Sequence, residues 1–176
     1  MIASHFTVAA IAIALAGIWI RPATAIARTS PALAQEFELA RCIRRVAGGR
    51  TWLEKTLWGL RDQEGGWNGA QILNSDGSFD LGPLQINSRW ISRIAVMTDR
   101  PAASVRWWLV HDTCFNVDAA RWIFLSGLGP RVDYWRAVGA YHSPTVWRQR
   151  MYASGVADRL QRRFGPAIFS SRGRIR

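Results

Sequence analysis

Apolar positions recur at three- and four-residue spacing through most of this chain, and at two-residue spacing in one short stretch. Leu53, Leu57 and Leu60 fall on one face of a segment that opens with Thr51 and Glu54, the T-x-x-E pattern of a capping box. The pattern predicts a helix from Thr51 to Glu64, stopped by Gly65 and Gly66. A helix over 37–47, closed by Gly48-Gly49, precedes it. Further helices are predicted over 90–97, over 101–110 with Asp99 or Arg100 near its start, over 116–125 and over 132–141. Ser143-Pro144 reads as a stop and a restart, with Ser as N-cap and Pro at the first position of a last helix ending near Phe164. Residues 65–88 differ. Asn74-Ser75-Asp76-Gly77-Ser78 is a tight-turn signal, and Ser78-Phe79-Asp80-Leu81 alternates polar and apolar as a short strand does. The expected class is α+β, mostly helical, with a small β-hairpin. There is no internal repeat and no sign of a second domain. A chain of 176 residues, 49% of them hydrophobic, can bury a core of its own.

Two carboxylates stand out against this scaffold. Glu64 continues the apolar face of its helix and sits at the negative end of the helix dipole. Desolvation and the dipole both disfavour its ionised form, so a proton stays available near neutral pH. A general acid for glycoside cleavage needs that property. An exposed polar residue at a helix end is the plainer alternative. A hairpin at Asp76-Gly77 would turn Asp80 back towards Glu64, and paired carboxyl groups flanking a cleft are the arrangement of glycosidases. Asp80 alone also fits a turn residue bonded to its own backbone.

The amino terminus and the charge add a location. Residues 6–20, FTVAAIAIALAGIWI, form an unbroken apolar run, short for a membrane span and of the right length for an export signal. Small-x-small sites follow at 23–25, 25–27 and 32–34. The first residues carry no Lys or Arg, and an uncleaved N-terminal anchor is the alternative. The expected division is an export signal over 1–34, one domain over 35–169 and a basic disordered tail over 170–176. Export implies a periplasmic protein. The net charge is +11, with Lys55 the only lysine. It favours an anionic partner such as wall polymer or membrane surface, and no basic-aromatic run marks a nucleic-acid binder. Two cysteines, Cys42 and Cys114, suggest a bridge in an exported chain, against two buried thiols in a cytosolic one. The bridge would stabilise by about 4 kcal/mol on the chain-entropy model. His5, His111 and His142 are scattered and the cysteines lack zinc spacing, so neither metal nor cofactor is expected. Most of the tryptophans are expected in the core, and Trp67, in a loop beside the acid, is expected to line a groove.

The pieces Glu64-Gly65-Gly66, Asp76-Gly77-Ser78-Phe79-Asp80-Leu81-Gly82 and Leu84-Gln85-Ile86-Asn87 resemble the lysozyme-like soluble lytic transglycosylases. They are most similar to the small specialised members that accompany secretion, conjugation and pilus machines. The resemblance runs from about Cys42 to Val156. It implies a lysozyme-like fold and a peptidoglycan substrate, with Glu64 as both acid and base. It implies cleavage between N-acetylmuramic acid and N-acetylglucosamine with a 1,6-anhydro product. Gln85 and Asn87 would bind substrate. Ala140-Tyr141-His142 resembles the family's Ala-Tyr-Asn piece, which implies that the Tyr141 hydroxyl lies near Glu64. Related members also carry one early cysteine and one in a Pro-Cys-x-Asn piece. Three departures stand out: Gly65 replaces a serine, Thr113 a proline and His142 an asparagine. Animal-type lysozymes share a similar central stretch, so a hydrolase using Glu64 and Asp80 is the alternative reading. A wall-binding assembly protein without activity is the third. Glycan strands are the expected partner, with components of an envelope machine beside them.

Overall fold

The computed structural model describes residues 30–129 and 132–169. The first helix, α1, covers Pro31–Ala47 and so starts earlier than the apolar pattern suggests. Ser30 caps it, its side chain accepting from Leu33 N, and Pro31 stands in the first turn, where its missing N–H leaves no bond unmade. The small-x-small site at 32–34 therefore lies in the first turn of a helix. Residues 1–29 of the expected export signal lie outside the described residues, as does the tail at 170–176. Gly48 ends α1 in the left-handed conformation, as its sequence predicts.

Helix α2 covers Thr51–Glu64. The expected capping box is not made: Arg50 is the N-cap, without a side-chain bond, and Thr51 is already helical. Gly65 closes the helix with φ 65°, so Glu64 is its last residue. Leu53, Leu57 and Leu60 are fully buried, as their spacing requires. The hairpin follows, with β1 Gln71–Leu73 and β2 Phe79–Leu81 joined through a turn at Asn74–Ser78, and β3 Ile86–Asn87 completes an antiparallel sheet in the order β1-β2-β3. Leu73 faces Phe79 across the first pair, and Asp80 faces Asn87 across the second.

A 3-10 turn, Ser88–Trp90, leads into α3, Ile91–Thr98. Helix α4 covers Ala102–His111 and α5 covers Thr113–Gly127. Asp112 separates them, ending one and capping the other by accepting from Phe115 N, and this starts α5 earlier than expected. Helix α6, Tyr134–His142, is capped by Asp133. Helix α7, Val146–Phe164, begins after the predicted restart. Ser143 does not cap it: its Oγ accepts from Thr145 N within the connecting loop, and its carbonyl accepts from Gln149 Nε2. A second 3-10 turn covers Pro166–Phe169.

The chain is thus mostly helical with one small sheet. Helix α5 runs through the middle and packs against α1, α2, α4 and α6, while α7 closes over α2 and α6. Ile43, Leu57, Val105, Leu109, Val117, Phe124 and Val156 fill the space between them. Emptying any one of the leucine sites to alanine would cost about 2–5 kcal/mol. Cys42 and Cys114 form a disulfide that joins α1 to α5. Among the described residues, no helix is long and apolar enough to cross a membrane.

Candidate active site

A cleft of ≈ 570 Å³ opens between the hairpin and the start of α7. Glu64, Asp80, Gln85, Asn87, Tyr141 and His142 all line it. The fold brings them together in three steps.

First, α2 delivers Glu64. The helix buries its leucines, so its last residue on the same face points into the protein interior at the cleft floor. Burial pushes the Glu64 carboxyl up to about 7. Tyr152 opposes this, its hydroxyl donating to Oε1 at 2.5 Å, and the charge of Asp80 pushes the pKa further up. The bond to Oε1 leaves Oε2 to carry a transferable proton.

Second, the hairpin base is fixed from behind. Asn116, fully buried in α5, donates from Nδ2 to the carbonyls of Leu81 and Leu109, and its Oδ1 accepts from Leu84 N. One side chain thus satisfies three backbone groups, on β2, on the turn after it and on α4. Gly82 passes so close to α4 that a Cβ there would sit 2.2 Å from Leu109 O, and its φ of +70° is one a side chain rarely adopts. The next turn bends Gln85 into a positive φ of 47°, with Nε2 donating to Gly82 O, and so sets its carboxamide along the cleft wall.

Third, the polar hairpin residues bind one another. Asn87 Nδ2 donates to Asp80 Oδ1 and to Ser78 Oγ, both at 2.9 Å. Asp76 accepts from Ser78 N and from Arg89 Nη2. The hairpin therefore does turn Asp80 towards Glu64, and Asn87 spends its amide on holding Asp80 in place.

Tyr141 lines the cleft with Glu64, whereas Trp67 lies outside it. The Tyr141 hydroxyl donates to Leu84 O at 2.9 Å, not to Glu64. It feels the charges of Glu64 and Asp80, but its bond supports the turn that carries Gln85. Trp67 is exposed and lines a separate small groove with Gly66, Asn68, Pro83 and Arg61. Gly65 and Gly66 turn the chain away from the cleft immediately after Glu64, which carries the indole to the other side of the Gly82–Gln85 turn.

Two residues that hold the cleft together escaped the sequence reading. Tyr152, the residue that touches Glu64, lies within α7 and resembles any core tyrosine. Its signal is chemical: a phenol on the apolar face of a helix needs a partner for its hydroxyl. Asn116 had a better signal, standing two residues after Cys114 in the Cys-x-Asn spacing. Burial raises both Tyr141 and Tyr152 well above the usual phenol range, so both remain donors. Among the described residues, no group of three or more His, Cys, Asp or Glu is placed to hold a metal ion. No protein-family model matches the chain, and no curated protein sequence matches it.

Proposed function

We propose that this chain is a peptidoglycan lytic transglycosylase with a lysozyme-like fold, exported to the periplasm, where it opens the wall locally for an envelope-spanning machine. The observation that carries the reading is Glu64: a carboxyl with a pKa of about 7, at the floor of an open cleft. Such a group can give up a proton and take one back within a single turnover. As acid, Glu64 protonates the glycosidic oxygen between N-acetylmuramic acid and N-acetylglucosamine, and the C1–O bond breaks. As base, it accepts the proton of the muramyl 6-hydroxyl while that oxygen bonds to C1. The 1,6-anhydro ring closes, Glu64 regains its proton and no water is consumed. Gln85 positions the sugar beside this centre.

A hydrolytic lysozyme is the second reading. It is favoured by Asp80, which lines the same cleft and raises the pKa of Glu64 by its charge. Against it stands the Asn87 bond, which ties Asp80 Oδ1 into the hairpin. The net charge of +11 suits a wall polymer bearing carboxylates under either reading. Mass spectrometry of peptidoglycan digested with the protein separates the two, because anhydro and reducing ends differ by one water. Anhydro ends are expected. Reducing ends would establish the hydrolase, and an undigested wall would leave only a binding role.

A further inference from the structure

Helices α6 and α7 meet in a contact that the proposed chemistry does not use. At Gly139 they are so close that a Cβ would sit 2.5 Å from Gln149 O. Three residues beyond that crossing, each helix presents a ring. His142 on α6 and Tyr152 on α7 lie parallel, with 3° between their planes and 4.7 Å between centroids. Tyr152 is the residue whose hydroxyl reaches Glu64. That hydroxyl is at the far end of the side chain, so a small swing of the ring about its inner torsions displaces it most.

We infer that His142 is a positioning residue: its ring clamps the face of Tyr152 and so keeps the phenol hydroxyl on Glu64 Oε1. The consequence for rate rests on the proposed role of Glu64, but the clamp itself does not.

The charged and titratable groups around the stack agree with a clamp made by the ring face. Glu64 comes from α2, Asp80 from β2, Tyr141 from α6 and Arg148 from α7. Partial burial holds the imidazole below its ordinary pKa, with Arg148 adding to this and Asp80 opposing it. His142 is therefore neutral at neutral pH, and the contact is one between two uncharged rings. A phenyl ring should serve as well as an imidazole.

The test is a titration of Glu64 in the free full-length protein by carbon NMR on 13C-labelled glutamate, with Glu64→Gln identifying the resonance. Tyr152→Phe removes a hydrogen bond that lowers the Glu64 pKa, so its titration should move up by roughly half a pH unit. His142→Ala should move it in the same direction, and His142→Phe should leave it in place. The double variant Tyr152→Phe with His142→Ala should match Tyr152→Phe alone, because the clamp has nothing left to position. An unmoved titration in His142→Ala overturns the inference. So does His142→Phe behaving like His142→Ala, or a double variant displaced beyond Tyr152→Phe. His142 is only partly buried, and melting curves check that each variant keeps the fold. No step requires substrate to be cleaved, so failure of the transglycosylase reading would appear separately, as wall digestion by Glu64→Gln.

Discussion

The two walls of the cleft are built by different means. The hairpin wall is a mesh of short polar bonds. Asn87 reaches Asp80 and Ser78 seven and nine residues away, and Arg89 reaches Asp76 thirteen away. The helical wall is made of rings and helix packing, and its decisive bond, Tyr152 to Glu64, joins residues 88 apart in sequence. They also act on Glu64 with opposite sign: Asp80 on the hairpin raises its pKa, and Tyr152 on α7 lowers it. The acid is thus poised between one wall that holds its proton on and one that helps it off. Burial at the end of α2 supplies the larger part of the displacement.

Removing the object that both walls act on should have the largest effect. Glu64→Gln keeps the shape and abolishes the transferable proton, so digestion of the wall should fall by about a thousandfold or more. The same variant should be more stable than the wild type at pH 8. A carboxyl raised from 4.5 to about 7 stays protonated in the folded chain while the unfolded chain ionises. As pH climbs through that window the folded state loses up to about 3 kcal/mol relative to the unfolded one, and glutamine escapes the loss. Urea melts at pH 4 and pH 8 should show the two proteins converging at the lower value.

The hairpin wall breaks next. Asn116→Ala strands the carbonyls of Leu81 and Leu109 and the N–H of Leu84, a loss of about 3–5 kcal/mol in chemical denaturation. Asp80→Asn is gentler and sharpens the contrast in sign. Taking away its charge should lower the Glu64 pKa, moving the alkaline limb of the pH–rate profile down. Activity should fall far less than in Glu64→Gln, with anhydro ends retained. A collapse as deep as that of Glu64→Gln, at unchanged melting temperature, would favour the hydrolase. The smallest effect belongs to the outer attachment of the helical wall. Arg163 pairs with Asp62 and lies 3.9 Å over the ring of Trp58. Arg163→Ala should cost about 1 kcal/mol, read from the urea midpoint, with the pH profile unmoved.

The same contrast explains what could be read from the sequence. Local rules built the hairpin wall, and a reader armed with turn chemistry finds it: Asp76-Gly77 turns, the alternation in 78–81 makes a strand, and Asp80 arrives in the cleft. The leucine spacing of α2 likewise carries Glu64 to its floor. Helix starts were less legible, because caps are chosen by tertiary context. Arg50 displaced the expected Thr51 box, and Asp112 began α5 three residues early. The Tyr152–Glu64 bond was invisible, since nothing within α7 says which helix end its face will meet. Trp67 lies in the expected neighbourhood but on the other side of the turn, because two glycines leave the direction of a loop open.

The disulfide has a topological consequence. It closes a ring of chain that spans 72 positions and contains Glu64, Asp80, Gln85 and Asn87. Tyr141, His142 and Tyr152 lie outside that ring, on a helical pair joined to it through the segment after Leu128. The protein is therefore divisible in principle into a covalently looped half that carries the acid and an open-ended half that carries its tyrosine. Cut in that segment, the two fragments would have to reassemble through the α2–α7 and α5–α6 faces before Glu64 met its partner. Wall digestion by the mixed fragments, and by neither alone, would make this fold a split reporter for proximity.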